Sequence, residues 1–256
     1  TSDLTIQNSV LTEGIEYTAS IKRSSLPDYI REEVGESSFI MPISVPAGTD
    51  RLVVEILETT SPDLDIFVGQ DNNADGQPSS LEWNFIYMYK TTSQKLEKLD
   101  YTLPRKGDYW LMIHNYGNQF NNSERDEYDP EKASIIDTVK FVVSVVKDEF
   151  DVEQSDGSLK VKAPKDNFPG SDIPVTISWN KEMHEKSHYY GALVLGSTEE
   201  LVGNMGWVNV DLYRDVDDVK LSLLDRDENL ATYNIRFMPN TSENEQTYKM
   251  TLEIPA

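Results

Sequence analysis

Residues 136–148 read IDTVKFVVSVVKD. Apolar side chains recur there at every second position, the period of a β-strand whose successive residues point to opposite faces. Valine and isoleucine branch at Cβ and fit a pleated surface, which strengthens the reading. Working outward from this strand, similar short runs fill the chain, separated by Gly, Pro, Asn and Asp. Toward the N-terminus they are FIMPISV (39–45), RLVVEIL (51–57), LDIFVG (64–69), EWNFIYMYK (82–90), LDYTL (99–103) and DYWLMIHNYG (108–117). The segment EFDVEQSDGS (149–158) is polar and poor in apolar residues, and it marks an expected boundary. Beyond it come LKVKAP, PVTISWN, YYGALVLG, GWVNVDLYR, VKLSLL, ATYNIRFMP and TYKMTLEIP. About seven strands in roughly one hundred residues is the pattern of an immunoglobulin-like sandwich. Only residues 21–36 and 181–188 have helical potential, and neither carries a long amphipathic stripe. The expected fold is all-β, in two domains spanning 1–148 and 149–256.

Composition narrows the function. The chain has 256 residues and a formal charge of −22, which would repel nucleic-acid phosphates and excludes that partner class. The same acidity favours solubility and divalent cations. There are no cysteines, so disulfides, thiolate–zinc sites and cysteine nucleophiles are excluded together. No run of about eighteen apolar residues exists, and no membrane-spanning helix is expected. The N-terminus, TSDLTIQ, has neither an initiator Met nor a signal peptide. The chain is therefore expected to be a processed or excised part of something longer.

One segment carries a metal-binding pattern. DNNADGQPSSLE (71–82) matches D-x-[DN]-x-[DN]-G-x5-E, the loop that wraps calcium in oxygen ligands. The ligands would be Asp71, Asn73, Asp75, the backbone carbonyl of Gln77, Ser79 and Glu82, with Gly76 at the sharp bend. Position 8 is Pro78, which lacks the N–H that pairs two such loops, and the flanks read as strands. A paired helix–loop–helix sensor is thus excluded, and the alternative is a solvated acidic turn. Asp63 and Asp65, two apart on one side of a strand, are candidates for the same ion or a second one.

Other motifs are weaker. HEKSH (184–188) matches the zinc-protease pattern H-E-x-x-H, but the third histidine of the extended motif falls at Val194. The segment before it lacks an apolar stripe and the one after it reads as a strand. Zinc is therefore not expected at His184 and His188. In EWNFIYMYK, alternation puts Trp83, Phe85, Tyr87 and Tyr89 on one face, either as core or as an exposed ladder for insoluble protein or polysaccharide.

With the strands laid out, VPAGTDRLVVEI (45–56), SPDLDIFVG (61–69), KGDYWLMIHNYG (106–117) and VKFVVSVV (139–146) resemble successive blocks of the bacterial pre-peptidase C-terminal domain. The second half, from PVTISWNKEM to YKMTLEIP, is similar to the sandwich that follows such domains in secreted subtilisin-like serine proteases. The resemblance implies a jelly-roll-like first sandwich and an extracellular, non-catalytic accessory region that assists folding, secretion or substrate attachment. The partner it implies is a catalytic domain on the same polypeptide. The subtilase blocks D-[ST]-G, H-G-T and G-T-S-M-A are absent, so no catalytic residue transfers to this chain.

Overall fold

The computed structural model describes residues 4–24, 35–117, 131–147, 157–164, 172–214, 219–226 and 231–237. Among these residues the chain is all-β, with sixteen strands, two short 3-10 turns and no α-helix. The first group is β1 (Thr5–Asn8), β2 (Thr12–Glu13), β3 (Ile15–Lys22), β4 (Ser38–Val45), β5 (Thr49–Thr59) and β6 (Leu64–Gln70). Next come β7 (Ile86–Lys90), β8 (Lys98–Thr102), β9 (Gly107–Asn115) and β10 (Ile136–Lys147). The last are β11 (Leu159–Lys162), β12 (Thr176–Trp179), β13 (His188–Gly196), β14 (Gly206–Tyr213), β15 (Val219–Arg226) and β16 (Ala231–Phe237).

Strand β10, the alternating run, sits inside a sheet ordered β3–β10–β5–β8, and a second sheet runs β4–β9–β6–β7. All pairings are antiparallel. The two sheets bury one shared core. Val139, Phe141 and Val143 of β10 and Leu52, Val54 and Ile56 of β5 meet Leu64, Ile66 and Val68 of β6 and Leu111 and Ile113 of β9. Each set repeats every second residue, and full burial of each such side chain is worth about 1.5–3 kcal/mol.

The other face of β10 is buried as well. Val142 and Val146, with Val53 of β5, pack against Tyr190 of β13. That is why the alternation of 136–141 gives way to the nearly continuous apolar run VVSVV. Strand β13 is central to a third sheet, β1–β13–β14, and also pairs with β2. The first described strands are thus built into a sheet whose other members come from residues 188–213. Leu11, Leu159, Tyr189, Leu193 and Val210 form the core beneath it. Strands β11–β12 and β15–β16 form two-stranded ribbons.

A buried charge network ties the first sandwich to the third sheet. Arg51 of β5 is fully buried and its guanidinium grips Asp100 of β8 in a bidentate pair, at 2.7 and 2.5 Å. Its Nη1 donates to Asp211 of β14 at 2.7 Å and to the Gly191 carbonyl at 3.0 Å. Burial works against the charge, but the bonds to Asp100 and Asp211 outweigh it and raise the affinity of Arg51 for its proton. Lys98 bridges Asp211 and Glu55, and Glu55 accepts the Tyr190 hydroxyl at 2.8 Å.

The structure departs from the sequence reading in three places. Residues 82–90 do not form one strand: Glu82–Phe85 is a 3-10 turn and only Ile86–Lys90 is β-structure. The expected aromatic ladder is therefore broken. Trp83 is buried against Phe67 and Trp110, Tyr87 packs on Tyr101 and Tyr109, and Tyr89 is exposed. Second, Ile15–Lys22 is a strand that pairs with β10 and escaped notice in the sequence. Third, residues 181–187 are irregular chain ending in a turn, and Ile21–Lys22 end β3. Residues 25–34 of the other helical candidate, and the expected strand TYKMTLEIP, lie outside the described residues.

Candidate cation-binding site

The connection from β6 to β7 does more than turn the chain. It begins by extending the ladder, with Asp71 N–H bonded to the Asp108 carbonyl at 3.0 Å. It then reaches across its own sheet: a Cβ on Gly76 would lie 3.4 Å from Pro42 on β4, at the edge opposite β7. On this outer face Phe67, Trp110 and Met112 are buried with Trp83, whose ring lies 5.5 Å from that of Trp110. Gly69 permits the arrangement, because a Cβ there would stand 1.9 Å from the Trp110 ring.

Inside the loop, the side chains predicted to bind metal organise the backbone. Asp71 accepts the N–H of Asp75 at 3.2 Å and that of Gly76 at 2.8 Å. Asn73 also accepts the Asp75 N–H, at 3.1 Å, and its amide donates to the Asp75 carboxylate at 2.9 Å. Asp75 in turn accepts the Gln77 N–H at 2.8 Å. Ala74 and Gly76 lie in the left-handed region, at φ 59° and 71°, which makes the bend tight. For Ala74 this costs about 1–2 kcal/mol, and for Gly76 nothing comparable.

Glu82 is the latch. It is buried, and its two oxygens accept the N–H groups of Asn72 at 2.6 Å and Ser79 at 2.9 Å. Ser79 Oγ accepts the Glu82 N–H in return, at 3.3 Å. This is the reciprocal S-x-x-E capping box. It starts the 3-10 turn that breaks the expected strand, and the sequence reading missed it although S-S-L-E is in plain view. Burial pushes the Glu82 carboxyl upward, but the N–H bonds from Ser79 and Asn72 prevail and hold it below the usual carboxylate range.

The result is that carboxylate oxygens of Asp71, Asp75 and Glu82 all lie within 4.8 Å of one another. This acidic cluster could hold an ion. No Lys or Arg among the described residues is ion-paired with it. Each carboxylate has about four lone-pair sites, so the N–H bonds leave oxygen capacity free. Asn73 and Ser79 stand beside the cluster through their bonds to Asp75 and Glu82, and Gln77 through its N–H. A hollow of about 270 Å³ opens beside Asp71 and Asp75, with Ser44 and Asp108 in its wall.

Asp63 and Asp65 are elsewhere. Asp63 precedes β6 and Asp65 is its second residue, so the rest of the strand, to Gln70, lies between them and the loop, a span of about 20 Å at roughly 3.4 Å per residue. They cannot join the loop's carboxylates on one ion. Burial and repulsion from Glu97 raise Asp63 to about 6, and burial with repulsion from Asp63 and Glu97 raises Asp65 to about 8. Asp65 faces His114 across the β6–β9 ladder, and His114 is bonded through Nδ1 to Ser38 at 2.9 Å. Burial lowers His114 to about 4, so the ring is neutral at physiological pH.

The H-E-x-x-H residues do not share a helical face. His184, in the segment before β13, pairs through Nδ1 with Glu13 at 2.9 Å. His188 begins β13 and packs at a tilt against Tyr213 with ring centres 4.6 Å apart.

No protein-family model matches this chain, and no curated protein does. Among solved structures it is similar to a lipase of Bacillus licheniformis in propeptide form, at 9% identity and a TM-score of 0.27, over 86% of this chain and 43% of that one. It is also similar to a β-glucuronidase of an uncultured Clostridium, at 8% identity and a TM-score of 0.28, over 93% and 48%. A third is a β-galacturonidase of Eisenbergiella tayi, at 10% identity and a TM-score of 0.25, over 87% and 46%. The chain spans less than half the length of each of these.

Proposed function

We propose that this chain is a non-catalytic accessory module of a secreted subtilisin-like serine protease, stabilised by calcium bound in the 71–82 loop. The observation that carries the calcium reading is the convergence of Asp71, Asp75 and Glu82 on one point of a loop already bent by Gly76. The donor set is all oxygen, which suits a hard ion that takes about six to eight oxygen ligands. Asn73, Ser79 and the Gln77 carbonyl would complete it. Bound there, the ion clamps the loop across the outer face of its sheet and over Trp83 and Trp110. The role is stabilising, because Pro78 and the flanking β6 and β7 provide no helices to open. The partner is the catalytic domain of the same polypeptide, and the setting is extracellular.

Thermal unfolding in millimolar calcium and in chelator tests the reading. Calcium at one hundred times its dissociation constant adds about 2.7 kcal/mol. For a chain of this size that raises Tm by about 5–10 °C. An unchanged Tm would overturn the calcium assignment.

A second reading, an attachment module for insoluble protein or polysaccharide, is favoured by Trp207 and Tyr213, each about half exposed on β14. They occur on one face of the strand, three two-residue periods apart. Sedimentation with collagen, chitin and cellulose separates the readings. Retention lost in Trp207→Ala/Tyr213→Ala supports attachment, and absence of retention removes it.

A further inference from the structure

A cleft of about 530 Å³ opens where the outer face of the β3–β10–β5–β8 sheet meets β13 and β14. Its volume is that of a small-molecule site, and such sites form preferentially where two packed units meet. Strands β3, β5, β8 and β10 contribute Glu16, Glu55, Glu58, Lys98 and Lys140 to its wall, and the turn before β13 contributes Lys186. Two of the pairs are fixed: Lys140 meets Glu16 at 2.9 Å, and Lys98 meets Glu55 at 3.1 Å. Glu58 and Lys186 form no ion pair among the described residues. A further glutamate in the wall, Glu97, is 1% exposed and bound to Thr92. Lys186 sits at φ 61°, held there by its N–H bond to the Arg214 carbonyl at 2.7 Å. That region disfavours any side chain, and residues kept in it cluster at functional sites.

An aromatic face completes the wall. His188 and Tyr213 are cross-strand partners with ring centres 4.6 Å apart, and Tyr213 is 53% exposed. Burial lowers the His188 pKa, so the ring is uncharged at pH 7.5. We propose that this cleft binds a neutral oligosaccharide, with a sugar ring laid on Tyr213 and its hydroxyls bonded by the surrounding ammonium and carboxylate groups. A sugar ring presents a C–H-rich face and a rim of hydroxyls, each able to donate and to accept. A lysine only donates and a carboxylate only accepts, so a wall carrying both suits that rim. An anion would face the glutamates and a cation the lysines, so neither sign is favoured. The fixed ion pairs hold their head groups in place before the ligand arrives, which lowers the ordering cost of binding. The proposal rests on the attachment reading and deepens it, moving the ligand from a strand surface into a cleft. The cleft includes Tyr213 but neither Trp207 nor any residue of the 71–82 loop.

Isothermal titration of the full chain with soluble hexasaccharides, in chelator at pH 7.5, reads the cleft apart from the calcium loop. The probes are cellohexaose, xylohexaose and chitohexaose as neutral chains, hexagalacturonate as an anion and glucosamine hexamer as a cation. At least one neutral probe is expected to bind, more tightly than either charged one and with an affinity that added salt leaves unchanged. Tyr213→Ala should weaken it about tenfold. Lys186→Met, at an exposed position, should weaken it several-fold and keeps the test decisive should Tyr213→Ala fail to fold. Trp207→Ala should bind the probe as the native chain does. Binding of no neutral probe, tighter binding of a charged one, or binding that Lys186→Met and Tyr213→Ala leave intact overturns the proposal. If a neutral probe binds but the chain does not sediment with cellulose or chitin, attachment to insoluble polymer fails and the cleft stands. If the chain sediments through Trp207 and no soluble probe binds, the cleft fails and attachment stands.

Discussion

Replacing Arg51 with methionine keeps most of the side chain's length and removes its charge. Partners on three other strands feel the change: Asp100 of β8 loses a bidentate partner at 2.7 and 2.5 Å, and Asp211 of β14 loses one at 2.7 Å. The Gly191 carbonyl of β13 loses its 3.0 Å bond, and the Tyr190 ring loses the guanidinium 5.6 Å from its centre. Breaking a buried ion pair by removing one partner costs about 3–5 kcal/mol. The lower figure applies here, because Asp211 is 45% exposed and keeps Lys98 at 2.6 Å. A loss of about 3 kcal/mol is a large part of a typical stability of about 5–15 kcal/mol. It should lower Tm by about 6–12 °C. Urea unfolding, followed by tryptophan fluorescence and by circular dichroism, measures it. If Arg51 couples the first sandwich to the third sheet, the two probes should also separate in the variant. A cost below about 1 kcal/mol, with coincident transitions, would refute the reasoning.

Two further outcomes follow from buried groups. Gly69→Ala puts a methyl where the Trp110 ring lies 1.9 Å away; overpacking of this kind costs about 1–3 kcal/mol, and tryptophan emission should shift to the red as Trp110 is displaced. His114 is neutral in the fold, lowered by burial from 6.5 to about 4, with Ser38, Tyr116 and Asp65 as its neighbours. Between these values the unfolded chain takes a proton that the fold refuses, so stability present above pH 6.5 is lost as pH falls toward 4, by about 3 kcal/mol in all. Stability measured against pH in chelator should therefore show a flatter acid limb in His114→Gln, and an unaltered limb would contradict the assignment.

Strands with alternation on one buried face were plain in the sequence, and β4, β5, β6, β9 and β10 lie within two residues of where their patterns put them. The pattern failed where local chemistry overrode it. EWNFIYMYK alternates, but the Ser79–Glu82 capping box captures its first residues as a 3-10 turn and turns Trp83 inward. β1 and β2 carry little pattern of their own, since they are short and owe their pairing to β13. Spacing alone identified Asp71, Asp75 and Glu82, because a twelve-residue loop brings its ends together over a fixed contour. Spacing did not reveal the partners of Arg51, at residues 100 and 211, which depend on the junction of separate sheets.

Calcium binding proposed for the 71–82 loop can be read directly by terbium, a hard ion that substitutes for calcium and emits when a nearby tryptophan is excited. Trp83 adjoins Glu82 and is buried against Trp110. The account predicts sensitised terbium emission from the native chain, displaced by calcium and lost in Asp71→Asn/Asp75→Asn, where the single side-chain oxygens keep the 2.8 Å bonds from the Gly76 and Gln77 N–H groups and give up those from the Asp75 N–H and the Asn73 amide. Emission that persists undiminished in that variant, or that never appears in the native chain, would contradict it.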